Sequence, residues 1–267
     1  MNSPIKLSSP ETREFWEIPV LFEDAHLLAL DKPAGLLASP DRLAPGRRSI
    51  MRLLHQAITA TKPWVVERGL TYLSNAHRLD ADTSGVFLLA KSKAVFVELA
   101  NLFSSRKPLQ KYLALVHGSP AQDQFQVNAK LAAQPDAAGV VRVDSRTGKR
   151  AETRVTVVER FAHQTLLRCE LLTDRPHQMR AHLLNSGLRI VGDELYGSKP
   201  LWLSSLKKDF RLKPGREERP LLARTALHSE QLSLPHPVTG EQLTATAPLP
   251  KDLRVALKYL REFSPRR

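Results

Sequence analysis

Residues 77–85, HRLDADTSG, bring together side chains whose types and spacing could do chemistry. Asp80 and Asp82 carry carboxylates, which can act as nucleophiles, as general bases or as ligands of a divalent cation. His77 and Arg78 precede them, Thr83 follows, and the apolar run VFLLA comes directly afterwards. This pattern leaves open whether the two aspartates form a metal-binding loop or whether one of them acts alone.

One interpretation of this stretch is a phosphatase loop. Asp80, Asp82 and Thr83 spell Asp-x-Asp-x-Thr, the pattern by which magnesium-dependent phosphatases of the haloacid dehalogenase type present a nucleophilic aspartate. In that arrangement the apolar strand precedes the aspartate, whereas here the preceding residues, YLSNAHRL, are mostly polar and the apolar run follows. That arrangement also needs later carboxylates close together after another strand to hold magnesium, and Asp193 and Glu194 are the only obvious candidates. The phosphatase is therefore a minor alternative.

Other metal and nucleophile sites find little support. His177 and His182 are five residues apart, whereas a helix brings residues three or four apart to one face, so a site joining them to His77 fits poorly. The single cysteine, Cys169, excludes an intrachain disulfide and any zinc site built from paired cysteines. We predict no metal site.

The charge points to a polyanionic partner. The 267 residues contain 40 Lys and Arg against 27 Asp and Glu, with a pI of about 10.1. Residues 198–267 alone hold fourteen basic against seven acidic side chains, which suggests a contact face for nucleic acid. No apolar run is long enough to span a bilayer, and the N-terminus lacks the apolar core of a signal peptide, so we expect a cytoplasmic protein without a membrane partner.

The elements that must position these residues follow from the hydrophobic patterns. Apolar runs predict strands at 20–22, 27–30, 86–90, 111–117, 153–159 and 164–173. Helical spacing predicts helices at 50–60, 93–105, 177–186 and 251–263, the third one ended by Gly187. Strands and helices do not alternate regularly, so we expect an α+β fold whose mixed, mainly antiparallel sheet has flanking helices.

The same patterns suggest the domain organisation. Residues 1–18 are polar and punctuated by prolines, which predicts a loose N-terminal arm. Residues 19–250 should form one domain with two lobes, from which the basic stretch 198–222 projects as a loop or insertion. Residues 251–267 should form a basic C-terminal helix. We expect a monomer.

Read as a whole, HRLDADTSGVFLLAK resembles the signature of RluA-type pseudouridine synthases: His-Arg-Leu-Asp, two residues, Thr-Ser/Thr-Gly, an apolar strand, then Ala-Lys. Four further segments agree in the order that the family shows. They are EDAHLLALDKPAGLLASP, KYLALVHG, LLTDRPHQMRAHLLNSGLRIVGDELYG and ALHSEQLSLPHPVTGE. The similarity spans roughly residues 20–248, and five chance matches in register are implausible.

The resemblance implies a pseudouridine synthase fold and a reaction in ribosomal or transfer RNA. That reaction breaks the bond from the uracil nitrogen to the sugar, turns the base and rejoins it through C5, which needs neither a cofactor nor an energy source. Asp80 matches the family's catalytic aspartate. It would attack the anomeric carbon covalently or remove a ribose proton to give a glycal, and both routes stay open. Many relatives carry a small basic RNA-binding domain ahead of the catalytic one. Since only about eighteen residues precede Val20 here, we expect that domain to be missing.

The resemblance also assigns roles to other residues. Arg180 matches the arginine that pairs with the catalytic aspartate, and Tyr112 matches the tyrosine that stacks on the target base. Because the uridine must leave its helix to react, Arg78 is placed to enter the vacancy or to contact a phosphate. The residues expected to bind or frame the nucleotide are Lys32, His77, Arg78, Thr83, Arg175 and His177, of which His77 shapes the loop and Lys32 supports a turn or a phosphate contact.

Three departures from the family pattern stand out. Asp174 replaces a glycine and Pro176 a small hydroxyl residue, which changes a loop that could alter substrate choice; aspartate is among the better replacements for glycine at positive φ. Gln110 stands where a lysine usually precedes Tyr112 by two residues. None of these changes touches Asp80, Arg180 or Tyr112, so we expect activity. The alternative outside enzymology is an RNA-binding or RNA-folding protein that keeps the fold without turnover.

Overall fold

Short strands and a few amphipathic helices make up the chain in a computed structural model. The residues that the structure describes are 3–9, 12–41, 46–135, 137, 139–213 and 215–266. The strands are β1 (Ile5–Ser9), β2 (Glu14–Ile18), β3 (Val20–Glu23), β4 (Leu27–Lys32), β5 (Ser74–Asn75), β6 (Ser84–Ala90), β7 (Leu109–His117), β8 (Gln124–Asn128), β9 (Leu131–Ala133), β10 (Val141–Val143), β11 (Glu152–Arg160), β12 (Gln164–Leu171), β13 (Leu227–Pro235) and β14 (Gln242–Thr246). The helices are α1 (Ile50–Thr59), α2 (Pro63–Glu67), α3 (Lys93–Ser104), α4 (Gln178–Asn185) and α5 (Lys251–Phe263), with a 3-10 turn at Glu194–Tyr196.

The chain divides into two compact units, and neither is one continuous segment. The first unit contains Met1–Gln110 and Ser229–Pro248, and the second contains Lys111–His228 and Leu249–Arg267. The sequence analysis divided the chain differently, into one domain with two lobes over residues 19–250 and a C-terminal helix over 251–267, whereas the second unit includes Leu249–Arg267.

The first unit is built around β6, whose seven residues are all buried. β6 pairs antiparallel with β4 and β5, and β4 pairs antiparallel with β3. Such continuous burial explains why VFLLA is apolar throughout, since both faces of this strand are covered. β13 lies next to β6 and pairs antiparallel with β14. Val86, Leu88 and Ala90 join residues of β13, β14 and α3 in one hydrophobic core.

Helices α1 and α3 of the first unit begin at serines, which supply the side-chain oxygen that an N-terminus needs. The hydroxyl of Ser49 accepts a hydrogen bond from the backbone N–H of Arg52, and that of Ser92 accepts one from Val95. α1 buries Ile50, Leu53, Leu54 and Ala57, the spacing that predicted this helix.

The N-terminal residues differ from the loose arm that the sequence suggested for residues 1–18. β1 and β2 form an antiparallel hairpin that contacts α1, with Ile5, Leu7 and Ile18 buried. Alternation along IKLSS is the physical reason, because every second side chain faces the interior. Pro4 and Pro10 flank this strand in the sequence without interrupting it, and their presence obscured the alternation.

His77 is a buried, neutral histidine that anchors the loop ahead of β6. The backbone N–H of Leu88 donates to its Nε2 at 2.9 Å, so the proton of the neutral ring lies on Nδ1, which has no hydrogen-bond partner among the described residues. The ring stacks on Phe103 with a centroid distance of 5.0 Å and an interplanar angle of 6°. Burial lowers the pKa of His77 to about 4.

The second unit has its own antiparallel strands. β11 pairs antiparallel with β12 on one side and with β8 on the other, and β7 lies next to β12. β9 and β10 form a separate antiparallel hairpin, called the β9–β10 hairpin below. α4 ends before Gly187, which has a φ of +74° as the sequence predicted for a left-handed cap.

The basic stretch 198–222 is a loop closed at its base. The backbone N–H of Leu201 donates to the carbonyl of Leu222 at 3.0 Å, and both side chains are buried. The ammonium of Lys207 lies 5.3 Å from the ring centroid of Phe263, so the loop contacts the end of α5. α5 buries Leu253, Ala256, Leu257 and Leu260 on one face, as its pattern predicted.

These elements confirm the predicted α+β fold with a mainly antiparallel sheet. Within the part of the chain that the structure describes, every helix is too short or too polar to cross a membrane.

At Gly85 the backbone of β6 comes into close contact with the backbone of Ser229 on β13. Its φ is +111°, and a Cβ at this position would lie 2.2 Å from the carbonyl oxygen of Ser229, closer than any real contact. We expect Gly85→Ala to lower the free energy of unfolding by more than ~3 kcal/mol, because backbone must move. Gly240→Ala is the matched control: its φ is +75° but the space is open, so only the left-handed penalty of about 1–2 kcal/mol applies. Chemical denaturation of both variants measures the difference; equal losses would contradict the close approach.

His77 should make stability depend on pH. Between pH 6.5 and 4 the unfolded histidine binds a proton that the folded one, with a pKa of about 4, does not. Stability therefore falls as the pH falls through this window, by about 3 kcal/mol in total. We expect His77→Gln, which can keep an acceptor for Leu88 but does not titrate, to lose less stability than wild type over that range.

Wild type must be compared with His77→Gln because Asp31 changes stability with pH in the opposite direction. Burial raises the pKa of its carboxyl to about 6, so its contribution to stability grows as the pH falls below 6. That contribution cancels in the difference between wild type and His77→Gln. Urea denaturation at several pH values measures it, and parallel pH curves would refute a neutral buried His77.

Candidate active site

Asp80 lies half-buried in the loop between β5 and β6. Its backbone carbonyl accepts a hydrogen bond from the N–H of Thr83 at 3.1 Å, which closes a turn over Asp80, Ala81, Asp82 and Thr83. Thr83 is buried, whereas Asp82 and Arg78 are exposed. The aspartate thus precedes its strand, which is the reverse of the phosphatase arrangement.

Lys32 fixes this loop from the neighbouring turn. Its side chain is fully buried, and its ammonium donates to the backbone carbonyls of Pro33 at 2.8 Å, Leu36 at 2.6 Å and Ala81 at 3.0 Å. The N–H of Gly35 donates to the same Ala81 carbonyl at 2.9 Å. Since an ammonium has three protons, this bonding favours the turn-supporting role of Lys32 over a phosphate contact. The residue after Asp80 is therefore held by two donors.

In the second unit, Arg180 forms a buried ion pair that the sequence had not predicted. Its Nε donates to one carboxylate oxygen of Asp193 at 2.7 Å and a terminal nitrogen donates to the other at 2.6 Å. Arg180 is 8% exposed and Asp193 is 1% exposed, so this bidentate pair is almost dry. Asp193, a candidate magnesium ligand in the phosphatase interpretation, is instead the counter-charge of an arginine.

The approach to Asp193 requires the glycine before it. Gly192 has a φ of +71°, and a Cβ there would lie 2.2 Å from the carbonyl oxygen of Arg224. Only glycine tolerates this contact. An arginine on a buried helix face requires an acid, but the sequence does not say which one, so Asp193 of VGDELYG was visible only as a carboxylate.

Tyr196 is a second residue that the sequence analysis missed. The guanidinium carbon of Arg180 lies 4.8 Å from the centroid of its ring, a distance at which a cation and an aromatic face attract. Its hydroxyl donates to the carbonyl of Val141 at 3.0 Å and lies 3.2 Å from Nδ1 of His177. Tyr196 therefore contacts three residues from separate parts of the second unit.

In the altered loop TDRPHQMR, the residue with a left-handed backbone conformation is His177. It precedes α4 with a φ of +52°, so the left-handed position of this loop is His177 and not Asp174, which the replacement of glycine had suggested. Asp174 needs no special conformation there and is exposed. Nε of Arg175 donates to the carbonyl of Arg150 at 3.3 Å.

Gln178 fixes the start of α4. Its amide nitrogen donates to the carbonyl of Glu152 at 2.9 Å and its amide oxygen accepts from the hydroxyl of Thr173 at 2.8 Å. These bonds attach the start of α4, the helix that contains Arg180, to β11 and to Thr173. His182, one turn further, is buried, with its ring nitrogens within hydrogen-bond distance of the Thr153 hydroxyl and the Ala129 carbonyl.

Tyr112 is 3% exposed on β7. Among the predicted site residues, Lys32, Asp80 and Thr83 lie in the first unit, and Tyr112, Arg175, His177 and Arg180 lie in the second. Stacking of Tyr112 on a base and pairing of Asp80 with Arg180 stay predictions.

Comparisons with known proteins agree with one another. Residues 26–185 match the family model for RNA pseudouridylate synthase. Ribosomal large subunit pseudouridine synthase D of Nitrosomonas europaea is 35% identical over 246 residues, which cover 92% of this chain and 66% of the relative. Dual-specificity RNA pseudouridine synthase RluA of Escherichia coli is 32% identical over 237 residues, 88% of this chain and 94% of that protein.

A solved structure extends the comparison to the fold. Human RNA pseudouridylate synthase domain containing 4 superimposes with a TM-score of 0.66 and 24% identity, over 91% of this chain and 92% of that one. The likeness confirms the predicted pseudouridine synthase fold. Since the family model covers more than half of the chain and the relative from Escherichia coli is matched over nearly its whole length, this chain belongs to the RNA pseudouridylate synthase family.

Proposed function

We propose that this protein isomerises specific uridines to pseudouridine in structured RNA, with Asp80 as the catalytic carboxylate. The observation that carries the proposal is the placement of Asp80 in a turn secured by Lys32 and Thr83, inside the segment that matches the family model. The N1–C1′ bond of the nucleotide breaks and a C5–C1′ bond forms. The proton leaves C5 and N1 gains one, so atoms balance without a redox partner.

The roles proposed for the other residues are those that the family resemblance implies. Arg180, whose guanidinium is held by Asp193, would pair with the carboxylate of Asp80, as the resemblance implies. Tyr112 would stack on the flipped base and Arg78, which is exposed, would occupy the vacancy or contact a phosphate. His77 acts on the loop by packing, because its imidazole is buried and neutral.

We propose ribosomal or transfer RNA as the substrate. The relative from Nitrosomonas europaea is named for the large ribosomal subunit, and the one from Escherichia coli for dual specificity towards RNA. We further propose that the protein acts as a monomer in the cytoplasm, which light scattering of the purified protein and fractionation of cells can test.

Asp80 and Asp82 should respond differently to the same substitution. We expect Asp80→Asn to abolish conversion, a loss of at least ~10⁴-fold, because an amide can neither attack the sugar nor accept its proton. Asp82→Asn should keep activity within about threefold, since this exposed side chain lies beside the catalytic residue without a chemical role. Chemical mapping of pseudouridine in total RNA that lacks modifications measures both and identifies the position.

Three results would count against the assignment. Equal conversion by wild type and Asp80→Asn would show that Asp80 is not the catalyst. Absence of any conversion, with RNA binding intact, would favour the non-catalytic RNA-binding alternative. A requirement for magnesium beyond RNA folding, tested with excess EDTA, would revive the phosphatase chemistry.

The basic face of α5 offers a surface for RNA phosphates. Lys251, Arg254 and Lys258 are exposed at a spacing that places them on one side of the helix, and Lys207 approaches the end of α5 from the basic loop. We propose that this surface contributes to RNA binding through phosphate contacts, which release counterions.

Removing two charges from α5 should weaken binding in a salt-dependent way. We expect Lys251→Gln/Lys258→Gln to lower the slope of log affinity against log salt by roughly 1.5 units and affinity at 0.1 M salt by about tenfold. The control Lys62→Gln/Lys93→Gln removes the same charge from exposed lysines of the first unit and should change affinity less than about twofold. Filter binding with the unmodified RNA measures the affinity and its salt slope for each double variant. Equal losses in the two double variants would show that only net charge matters and that α5 is not a specific binding surface.

A further inference from the structure

We infer that Tyr196 is a positioning residue that ties the β9–β10 hairpin to the arginine of the active site. The inference rests on the proposed function, because it assigns Tyr196 a role in the same reaction. Its ring contacts Arg180 and its hydroxyl contacts the hairpin, so one side chain joins both.

The hydroxyl of Tyr196 has a full set of partners. It donates to the carbonyl of Val141 at 3.0 Å and accepts from the N–H of the same residue at 2.9 Å. A tyrosine hydroxyl has one proton, and that proton is directed to Val141. With that proton on Val141, we assign the contact with Nδ1 of His177, at 3.2 Å, as donation from the imidazole to the hydroxyl oxygen, which corresponds to the Nδ1–H form of His177.

The ring of Tyr196 lies in a small hydrophobic cluster. Leu131, Ala151 and Ala181 are its buried neighbours there, with Val140, Val141, Val143 and Leu184 partly buried around them. This packing leaves the aromatic plane little freedom against the guanidinium of Arg180, whose Nε and one terminal nitrogen are held by Asp193. The carboxylate of Asp193 matches the charge of Arg180 and fixes two of its N–H directions. The ring of Tyr196 packs against the guanidinium itself.

The hairpin is thereby coupled to the arginine. A shift of β10 moves both hydrogen-bond partners of the hydroxyl, and the ring must follow because the hydroxyl is rigidly attached to it. The same hydroxyl anchors His177, the left-handed residue at the start of α4, the helix that carries Arg180. The two paths from the hairpin, through the ring and through His177, end at the same guanidinium.

Two substitutions separate the hydroxyl from the ring. Tyr196→Phe keeps the aromatic face and removes the tie, and we expect the single-turnover rate constant at saturating enzyme to fall about tenfold, the cost of one or two hydrogen bonds. Tyr196→Leu also removes the ring, and the rate should fall roughly 100-fold or more. Affinity for the unmodified RNA should stay within about twofold in both, since phosphate contacts dominate it.

The control is Tyr72→Phe, which removes a tyrosine hydroxyl from the first unit and should leave both rate and affinity unchanged. A wild-type rate in Tyr196→Phe would overturn the inference. A loss of rate accompanied by a matching loss of RNA affinity and of thermal stability would also overturn it, because replacing a residue with only a structural role lowers all three.

A second measurement needs no activity and so separates this inference from the proposed function. In the wild-type protein above pH 8, nitrogen-resolved NMR of the histidine rings should show His177 with its proton on Nδ1, identified by loss of the signal in His177→Gln. In Tyr196→Phe the Nδ1–H proton should exchange faster with water. A proton on Nε2 with an unprotonated Nδ1 in wild type would overturn the hydrogen-bond assignment even if the enzyme converts uridine normally.

Discussion

A guanidinium removed from water must be matched by an opposite charge, and Arg180 meets this requirement through Asp193. Much of the second unit follows from that pair. Gly192 lets the chain pass against the carbonyl of Arg224 so that Asp193 can reach the arginine. Gln178 secures the helix on which Arg180 stands, and Tyr196 covers the face of the guanidinium. The ion pair therefore fixes the orientation of the Arg180 guanidinium as well as matching its charge.

The first unit uses charged and titratable groups in a different way. Lys32 and His77 both sit beside the loop of Asp80, yet each is committed to the backbone: Lys32 as a donor to three carbonyls and His77 as an acceptor for Leu88. Polar groups in such surroundings specify one loop conformation, because any alternative leaves a buried donor or acceptor without a partner. Asp80, the proposed catalytic residue, stays partly accessible in this loop.

Local patterns in the sequence were sufficient for much of the fold. The spacing of Ile50, Leu53 and Leu54 predicted α1, and the apolar run after Gly85 predicted β6, because periodicity within one element reports burial directly. The β1–β2 hairpin was missed since its strands are short and flanked by prolines. Asp80 and Arg180 were proposed as site residues from the family resemblance and not from periodicity, and their roles stay predictions.

Partners distant along the chain were beyond reach of such patterns. Asp193 was visible as a carboxylate, but nothing in its neighbourhood says that its partner is thirteen residues earlier on a helix. Tyr196 looked like any core tyrosine, and the backbone of Val141 that holds its hydroxyl carries no signal in side-chain type. The positive φ at His177 shows the same limit, since substitution of a glycine at 174 pointed to the wrong residue.

The discontinuous units bear on how the protein is made. The first unit includes Ser229–Pro248, and β13 and β14 of that stretch complete its core. During synthesis on the ribosome, the first 110 residues must wait for more than a hundred others before their missing strands emerge. The apolar faces of β6 and α3 stay uncovered in that interval, which makes them natural targets for chaperones while the chain is incomplete.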